Sequence, residues 1–289
     1  MTSNRQYPFE GVPRQQVERL LRFRSEHPCK RVDVGGVSWE YIACGGGEEM
    51  LLLLPGGLRV AETAFVYVQL FEDAYPVVVP TYPPLWTMDE ITDGVAAILD
   101  AEGVRQAHVL GQSYGGLVAQ VFVRRYPLRV KKLVLSSTGP LAPFSRRSRV
   151  LVALSRLMLL FPERLLLRSY ERVLFPVLSV PASDRGFWKA YLDWLFDGRL
   201  TKGDVLSHFR TLDDAVRKYA FAAGERSAWG GETLIIGAED DVASTDEDRG
   251  AMLQIYPQAQ VHLIAGGGHT AAMSEPEKYA AAVMAFLGK

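Results

Sequence analysis

Short runs of strand-forming residues recur along this chain, at 50–54, 76–80, 107–110, 132–136, 233–236 and 261–264, and most of them are separated by a stretch long enough for one helix. The first, Met50-Leu51-Leu52-Leu53-Leu54, has no polar residue on either side of the pleat, which suits a strand buried on both faces. Helical patterns fill the gaps at 61–74, 87–102, from Leu117 to Tyr126, at 246–256 and at 276–287. This alternation predicts a mostly parallel sheet covered by helices on both faces. In front of it, Val17, Leu20, Leu21 and Phe23 predict a helix over 13–26. Residues 30–34 and 37–43 alternate about Gly35-Gly36, as a hairpin does. Thr87, followed three residues later by Glu90, predicts a capping box at one helix start.

The rhythm changes after Gly139. Helix-like stretches follow one another at 151–160, 164–174, 186–195 and 212–222, and the strand pattern resumes at Thr233-Leu234-Ile235-Ile236, ending at Gly237. The division expected is a core of residues 1–138 and 231–289, with a helical lid inserted over 139–230. The insertion is rich in leucine (Leu151, Leu154, Leu165, Leu166) and arginine (Arg146, Arg147, Arg149, Arg168). That composition describes amphipathic helices with apolar faces on the core and arginines outside; an apolar lid over an acyl pocket is compatible with it. Trp86, Trp188 and Trp194 are candidates for lining that pocket or for the core.

A chain of 289 residues accommodates one large α/β domain with an insertion. Its net charge of -1 provides no general attraction to nucleic acid or anionic membrane. Residues 1–16 lack the apolar stretch of a signal peptide, and no run is long and apolar enough to span a bilayer, so a cytoplasmic location is expected. Cys29 and Cys44 flank the hairpin and are expected to be reduced. Metal-binding spacings, a P-loop and a dinucleotide fingerprint are all absent, and no cofactor is expected. The oligomeric state is left open.

The chemistry is concentrated in Gly111-Gln112-Ser113-Tyr114-Gly115-Gly116. A strand run precedes it and a helical pattern follows, so Ser113 occupies a tight strand-to-helix turn that exposes its hydroxyl. A serine needs a base, and the base needs an orienting acid. Of five histidines, His108 and His262 fall within strands and read as packing residues, His27 precedes Pro28, and His208 lies in the insertion. His269 alone follows a late strand, in the Gly266-Gly267-Gly268 loop, and is the expected base. The acid should follow the strand ending at Gly237. Among Glu239, Asp240 and Asp241 position favours Asp240, with Asp241 next. For the oxyanion hole, Tyr114 supplies one N–H; Gly57 or Leu58, after Pro55-Gly56, supplies the other.

These motifs, with Gly237-Ala238-Glu239-Asp240 and Gly268-His269 followed by Glu275-Pro276-Glu277, resemble those of the α/β-hydrolases in kind and order, over about residues 30 to 289. The resemblance implies an α/β-hydrolase sheet, a helical lid and a triad of Ser113, Asp240 and His269. Shorter matches, at Tyr82-Pro83-Pro84-Leu85-Trp86, Asp93-Gly94, Ala119-Gln120 and Tyr256-Pro257-Gln258-Ala259, resemble maspardin-like members. At one place the pattern departs: many α/β-hydrolases carry His-Gly where this chain has Pro55-Gly56, which removes an imidazole that usually shapes the loop.

The expected activity is a serine hydrolase acting on a carboxylic ester or related small acyl compound. Two alternatives use the same fold: a non-catalytic binding or adaptor protein, and a C–C bond hydrolase or cofactor-free peroxidase with the same triad. A dehalogenase-type reaction needs a carboxylate nucleophile, and Ser113 stands in its place.

Overall fold

The computed structural model describes residues 9, 11–142 and 156–288. Eight strands form one sheet: β1 (Lys30–Val34), β2 (Val37–Cys44), β3 (Leu51–Leu54), β4 (Val77–Thr81), β5 (Ala107–Gln112), β6 (Val130–Ser136), β7 (Thr233–Ala238) and β8 (Gln260–Ile264), in the order β1-β2-β4-β3-β5-β6-β7-β8. The hairpin β1–β2 is antiparallel, and so is the pairing of β2 with β4; every later neighbour is parallel. Parallel central strands direct their C-terminal ends to one rim, where loops can converge on a ligand.

The apolar runs lie inside the sheet and not at its edges: β3 and β7 are buried at every position. Helices cover both faces. On one, α1 (Arg14–Glu26) and α2 (Phe65–Phe71) pack with the C-terminal helix; on the other lie α3 (Met88–Ala101) and α4 (Tyr114–Arg125). The predicted capping box starts α3: Thr87 Oγ1 accepts from Glu90 N, and the Glu90 carboxylate accepts from Thr87 N. The helix expected over 61–74 is shorter than its pattern, with a 3₁₀ turn at Ala61–Ala64 leading into α2.

Between β6 and β7 the described chain is helical: a 3₁₀ turn Arg156–Leu160, then α5 (Glu163–Leu174), α6 (Arg185–Gly198) and α7 (Lys202–Tyr219). Part of the helix expected over 151–160, with Arg146, Arg147, Arg149, Leu151 and Leu154, falls outside the described residues. Helix α7 starts ten residues before the expected 212, because Thr201 and Asp204 form a capping box. Leu166, Leu167 and Tyr170 of α5 face inward, and Arg168 reaches out to Asp193 and Asp197. The chain closes with α8 (Asp246–Ile255) and α9 (Pro276–Leu287).

One packing expectation is corrected, and one open alternative is decided. His262 is exposed, because β8 is an edge strand that buries only Ile264. The tryptophans do not line the cavity described below: Trp188 is buried against Phe65 and Phe187, Trp86 is exposed under Arg210, and Trp194 lies beneath Arg24. Cys29 and Cys44 are free thiols. Among the described residues no helix is long and apolar enough to cross a membrane.

Candidate active site

Strand β5 ends at Gln112 and α4 begins at Tyr114, so Ser113 alone makes the turn between them. Its backbone sits at φ 52° and ψ −117°, a left-handed conformation that costs a residue with a side chain energy and persists only when its surroundings enforce it. They do so here. Ser113 N–H donates to Ser136 O at 2.9 Å, and Thr138 Oγ1 donates to Ser113 O at 2.8 Å. The turn also requires backbone to pass very close to backbone. A Cβ on Gly115 would lie 2.0 Å from Leu54 O, and one on Gly111 2.3 Å from Gly115 O.

Ser113 Oγ lies 2.9 Å from His269 Nε2. On the other side of the ring, Nδ1 is 3.0 and 3.1 Å from the two carboxylate oxygens of Asp241. A carboxylate only accepts, so Nδ1 carries the proton; Nε2 is left to accept, and the serine hydroxyl donates to it. Both His269 and Asp241 are buried. Burial pushes the Asp241 carboxyl up, but His269 and the N–H groups of Ala243 and Ser244 outweigh it and hold the group below its ordinary value.

The carboxylate on His269 is therefore Asp241 and not Asp240, a correction to the sequence reading. Strand β7 runs through Ala238, one residue beyond the expected end. Glu239 and Asp240 form the exposed part of the turn, and Asp241 is the first carboxylate to fold back inside. Asp240 plays a different part, since its Oδ1 accepts from Gly268 N at 3.0 Å and so ties the two loops together.

The loop carrying His269 is also held from the β6–β7 segment. His269 N donates to Ser179 Oγ at 3.0 Å, Ser179 N to Thr270 Oγ1 at 2.8 Å, and Thr270 Oγ1 to Ser179 O at 2.7 Å. From below, Gln112 Nε2 donates to His269 O at 3.3 Å. Sequence reasoning missed Ser179 and Thr270, whose pairing spans 91 residues; Gln112, inside the elbow motif, was legible by position. The fit is close enough to test. A Cβ on Gly268, which has φ 54°, would lie 1.9 Å from Ser179 Oγ. Gly268→Ala should lower kcat on the order of 100-fold by displacing the imidazole. Adding Ser179→Gly, which vacates the space, should restore part of that loss in a steady-state assay.

Tyr114 N–H is the first donor of α4 and has no carbonyl one turn back to bond. Gly57 and Leu58 line the same cavity as Ser113. Their loop lacks the usual imidazole, and other contacts shape it. Arg59 N donates to Gly56 O at 3.0 Å, Tyr170 Oη donates to Gly57 O at 3.1 Å, and the Gln112 side chain fills the space beside Gly56. Arg59 is fully buried and donates to Pro83 O, Ser207 Oγ and Tyr114 Oη; among the described residues it has no carboxylate partner.

The cavity at Ser113 measures about 370 Å³ and is mainly apolar, with Leu54, Leu58, Leu117, Leu178 and Met273 in its walls. None of its described lining residues is Lys, Arg, Asp or Glu. His208, left in the insertion by the sequence reading, is one of them. Its ring lies 4.5 Å from that of Tyr114, and burial with the Arg59 cation brings its pKa down to about 3. Of the other histidines, His108 is buried against Glu49, and His27 pairs with Glu72. His27, Glu72 and Cys44 bring their ligand atoms within 4.8 Å of one another, away from the cavity, and burial and then Glu72 push the Cys44 thiol up to about 12.

Residues 69–276, more than half of the chain, match the family model described as alpha/beta hydrolase fold. In sequence the chain is 25% identical to the 2-hydroxy-6-oxononadienedioate/2-hydroxy-6-oxononatrienedioate hydrolase of Paraburkholderia phymatum, over 86% of this chain and 90% of that protein. It is 44% identical to the homoserine O-acetyltransferase of Thermus thermophilus over 22% of this chain, a match that spans 17% of that enzyme's length. In structure it is similar to a hydrolase from Pseudomonas aeruginosa PA01, with a TM-score of 0.73, 19% identity, and 91% and 99% of the two chains covered. It is likewise similar to the carboxylesterase CesB from Bacillus subtilis, with a TM-score of 0.65, 16% identity, and 95% and 97% covered. These matches bear on the family and not on the maspardin-like subgroup.

Proposed function

Because the chain belongs to the alpha/beta hydrolase fold family, we propose that it is a serine hydrolase of a carboxylic ester or related small acyl compound, with Ser113 as nucleophile, His269 as base and Asp241 as the acid that orients it. The observation that carries this reading is the unbroken line from Ser113 Oγ through His269 to Asp241, at 2.9 and 3.0 Å.

Ser113 Oγ attacks the acyl carbon as its proton passes to His269 Nε2. The negative charge that develops on the carbonyl oxygen falls to the N–H of Tyr114 and to that of Gly57 or Leu58, donors that together supply several kcal/mol. Asp241 stabilises the imidazolium. His269 returns the proton to the leaving oxygen, and an acyl group remains on Ser113. Water, deprotonated by the same imidazole, then releases the acid. The helices between β6 and β7 act as a lid, and the small-molecule site needs no cofactor.

The hydrolase relative named for a dioate makes C–C bond cleavage the second reading. The absence of a cationic side chain among the described lining residues favours a neutral acyl compound over a dianion. An adaptor protein would have no use for a nucleophile bonded to a braced base. The test is labelling with a fluorophosphonate: Ser113 in folded protein should be modified stoichiometrically and identified by peptide mass. Folded protein that stays unlabelled would refute the serine-hydrolase reading.

A further inference from the structure

Three residues that line the cavity at Ser113 each carry a buried side-chain polar atom without a hydrogen-bond partner: Tyr67 Oη, Ser137 Oγ and His208 Nδ1. A buried polar atom without a partner costs free energy unless a ligand or water supplies one. Three around one cavity mark where hydrogen-bonding groups of a ligand belong.

Their placement gives the pattern. Strand β5, which carries Ser113, lies between β3 and β6. Ser137 follows the end of β6, and its backbone N–H is spent on Ile236 O. Tyr67, on α2, packs edge-on against Tyr279, whose hydroxyl donates to Ser136 Oγ, and this puts the Tyr67 ring on the β6 side. His208 comes from α7 on the β3 side. Its Cε1 is 3.5 Å from where a Cβ of Gly57 would be, and its ring lies between those of Tyr114 and Tyr170. Ser113 thus shares its cavity with residues from both neighbouring sides of the sheet that carry unpaired polar atoms, within walls that are otherwise largely apolar and carry no formal charge among the described residues.

Resting on the serine-hydrolase reading, the geometry points to an uncharged, oxygen-bearing acyl substrate. Hydroxyl or keto groups away from the scissile carbonyl meet His208 on one side and Tyr67 with Ser137 on the other. Neither a plain alkyl ester nor an ester with a free carboxylate satisfies the site. The alkyl ester leaves the three polar atoms unpaired, and the carboxylate is buried with no cation among the described lining residues. Burial and the Arg59 cation bring the His208 ring down to about 3, so near neutral pH it offers a hydrogen bond and not a charge.

The experiment compares p-nitrophenyl hexanoate with its 3-hydroxy, 6-hydroxy and 5-oxo counterparts and with the adipate half-ester, all on the full chain. The readout is the ratio of kcat/KM between two substrates on one preparation, which does not depend on the fraction folded. At least one oxygenated ester should exceed hexanoate by about tenfold, with the adipate half-ester at least tenfold below hexanoate. His208→Phe, Tyr67→Phe and Ser137→Ala should each bring a preference toward one, with His208→Phe acting on a different oxygen position from the other two. Equal kcat/KM for hexanoate and all oxygenated esters, or ratios that none of the three substitutions moves, would overturn the inference while leaving the hydrolase reading intact. No turnover of any ester together with an unlabelled Ser113 would overturn both.

Discussion

Ser113→Ala will lower kcat for ester hydrolysis on the order of 10⁶-fold, and adding His269→Ala to it will cost almost nothing more. The reason lies in the geometry. The 2.9 Å contact between Ser113 Oγ and His269 Nε2 is one device, and removing either end removes the whole of it. What survives is the rate supplied by the oxyanion donors and by binding, about 10³–10⁴-fold over water. The double-mutant cycle in steady-state kinetics checks this. Strictly multiplicative losses would mean that the two side chains act independently and would remove the relay from the mechanism. Alanine at 113 keeps a side chain on a left-handed backbone, so the variant should fold and melt within a few degrees of the parent.

Asp241→Asn will lower kcat on the order of 10⁴-fold, whereas Asp240→Asn will leave it within about threefold. An asparagine at 241 can turn its NH₂ toward Nδ1 and force the proton onto Nε2, the wrong tautomer for accepting from Ser113. An asparagine at 240 still presents an oxygen to Gly268 N–H. A larger loss at 240 than at 241 would return the orienting role to Asp240. The same substitution has a signature in stability. Asp241 is held below its ordinary value, so its ionised form favours folding above about pH 4, where the unfolded chain's carboxyl is also ionised, and that contribution disappears as pH falls through the folded value. The difference in Tm between the parent and Asp241→Asn should therefore be full above about pH 5 and shrink below pH 4; a constant difference would contradict the linkage.

Most of the sheet could be read from the chain because its central strands are buried on both faces, and burial of that kind leaves a continuous apolar run. The elbow could be read because only a strand, a serine and two closely packed glycines make such a turn. Other features depend on three-dimensional register. Whether Asp240 or Asp241 turns inward depends on whether β7 stops at Gly237 or continues through Ala238, and a glycine-alanine pair carries no signal for either. His262 looked like a packing residue because a strand pattern does not announce that it is an edge. The start of α7 was in fact written in Thr201 and Asp204, a capping pair with Asp in place of the commoner Glu. His208, Tyr67 and Ser137 come from separate elements, and only folding brings them to one cavity.

The neighbouring strands β6 and β7 run parallel, paired from Leu133–Thr233 to Ser136–Ile236, so the long excursion between them leaves at one end of the sheet and re-enters at the other. Its helical part is nevertheless closed at the base, where Phe221 N donates to Leu141 O at 2.8 Å, and Ser113, His269 and Asp241 all lie outside it. This arrangement works as a socket: another excursion of different length or chemistry could be grafted onto the same pair of stumps and present a new roof to an unaltered reaction centre. Any such exchange would have to supply two stitches, the hydroxyl now given by Ser179 to the histidine loop and the phenol that Tyr170 gives to Gly57. Those two bonds are where diversification of substrate range would meet the demands of turnover.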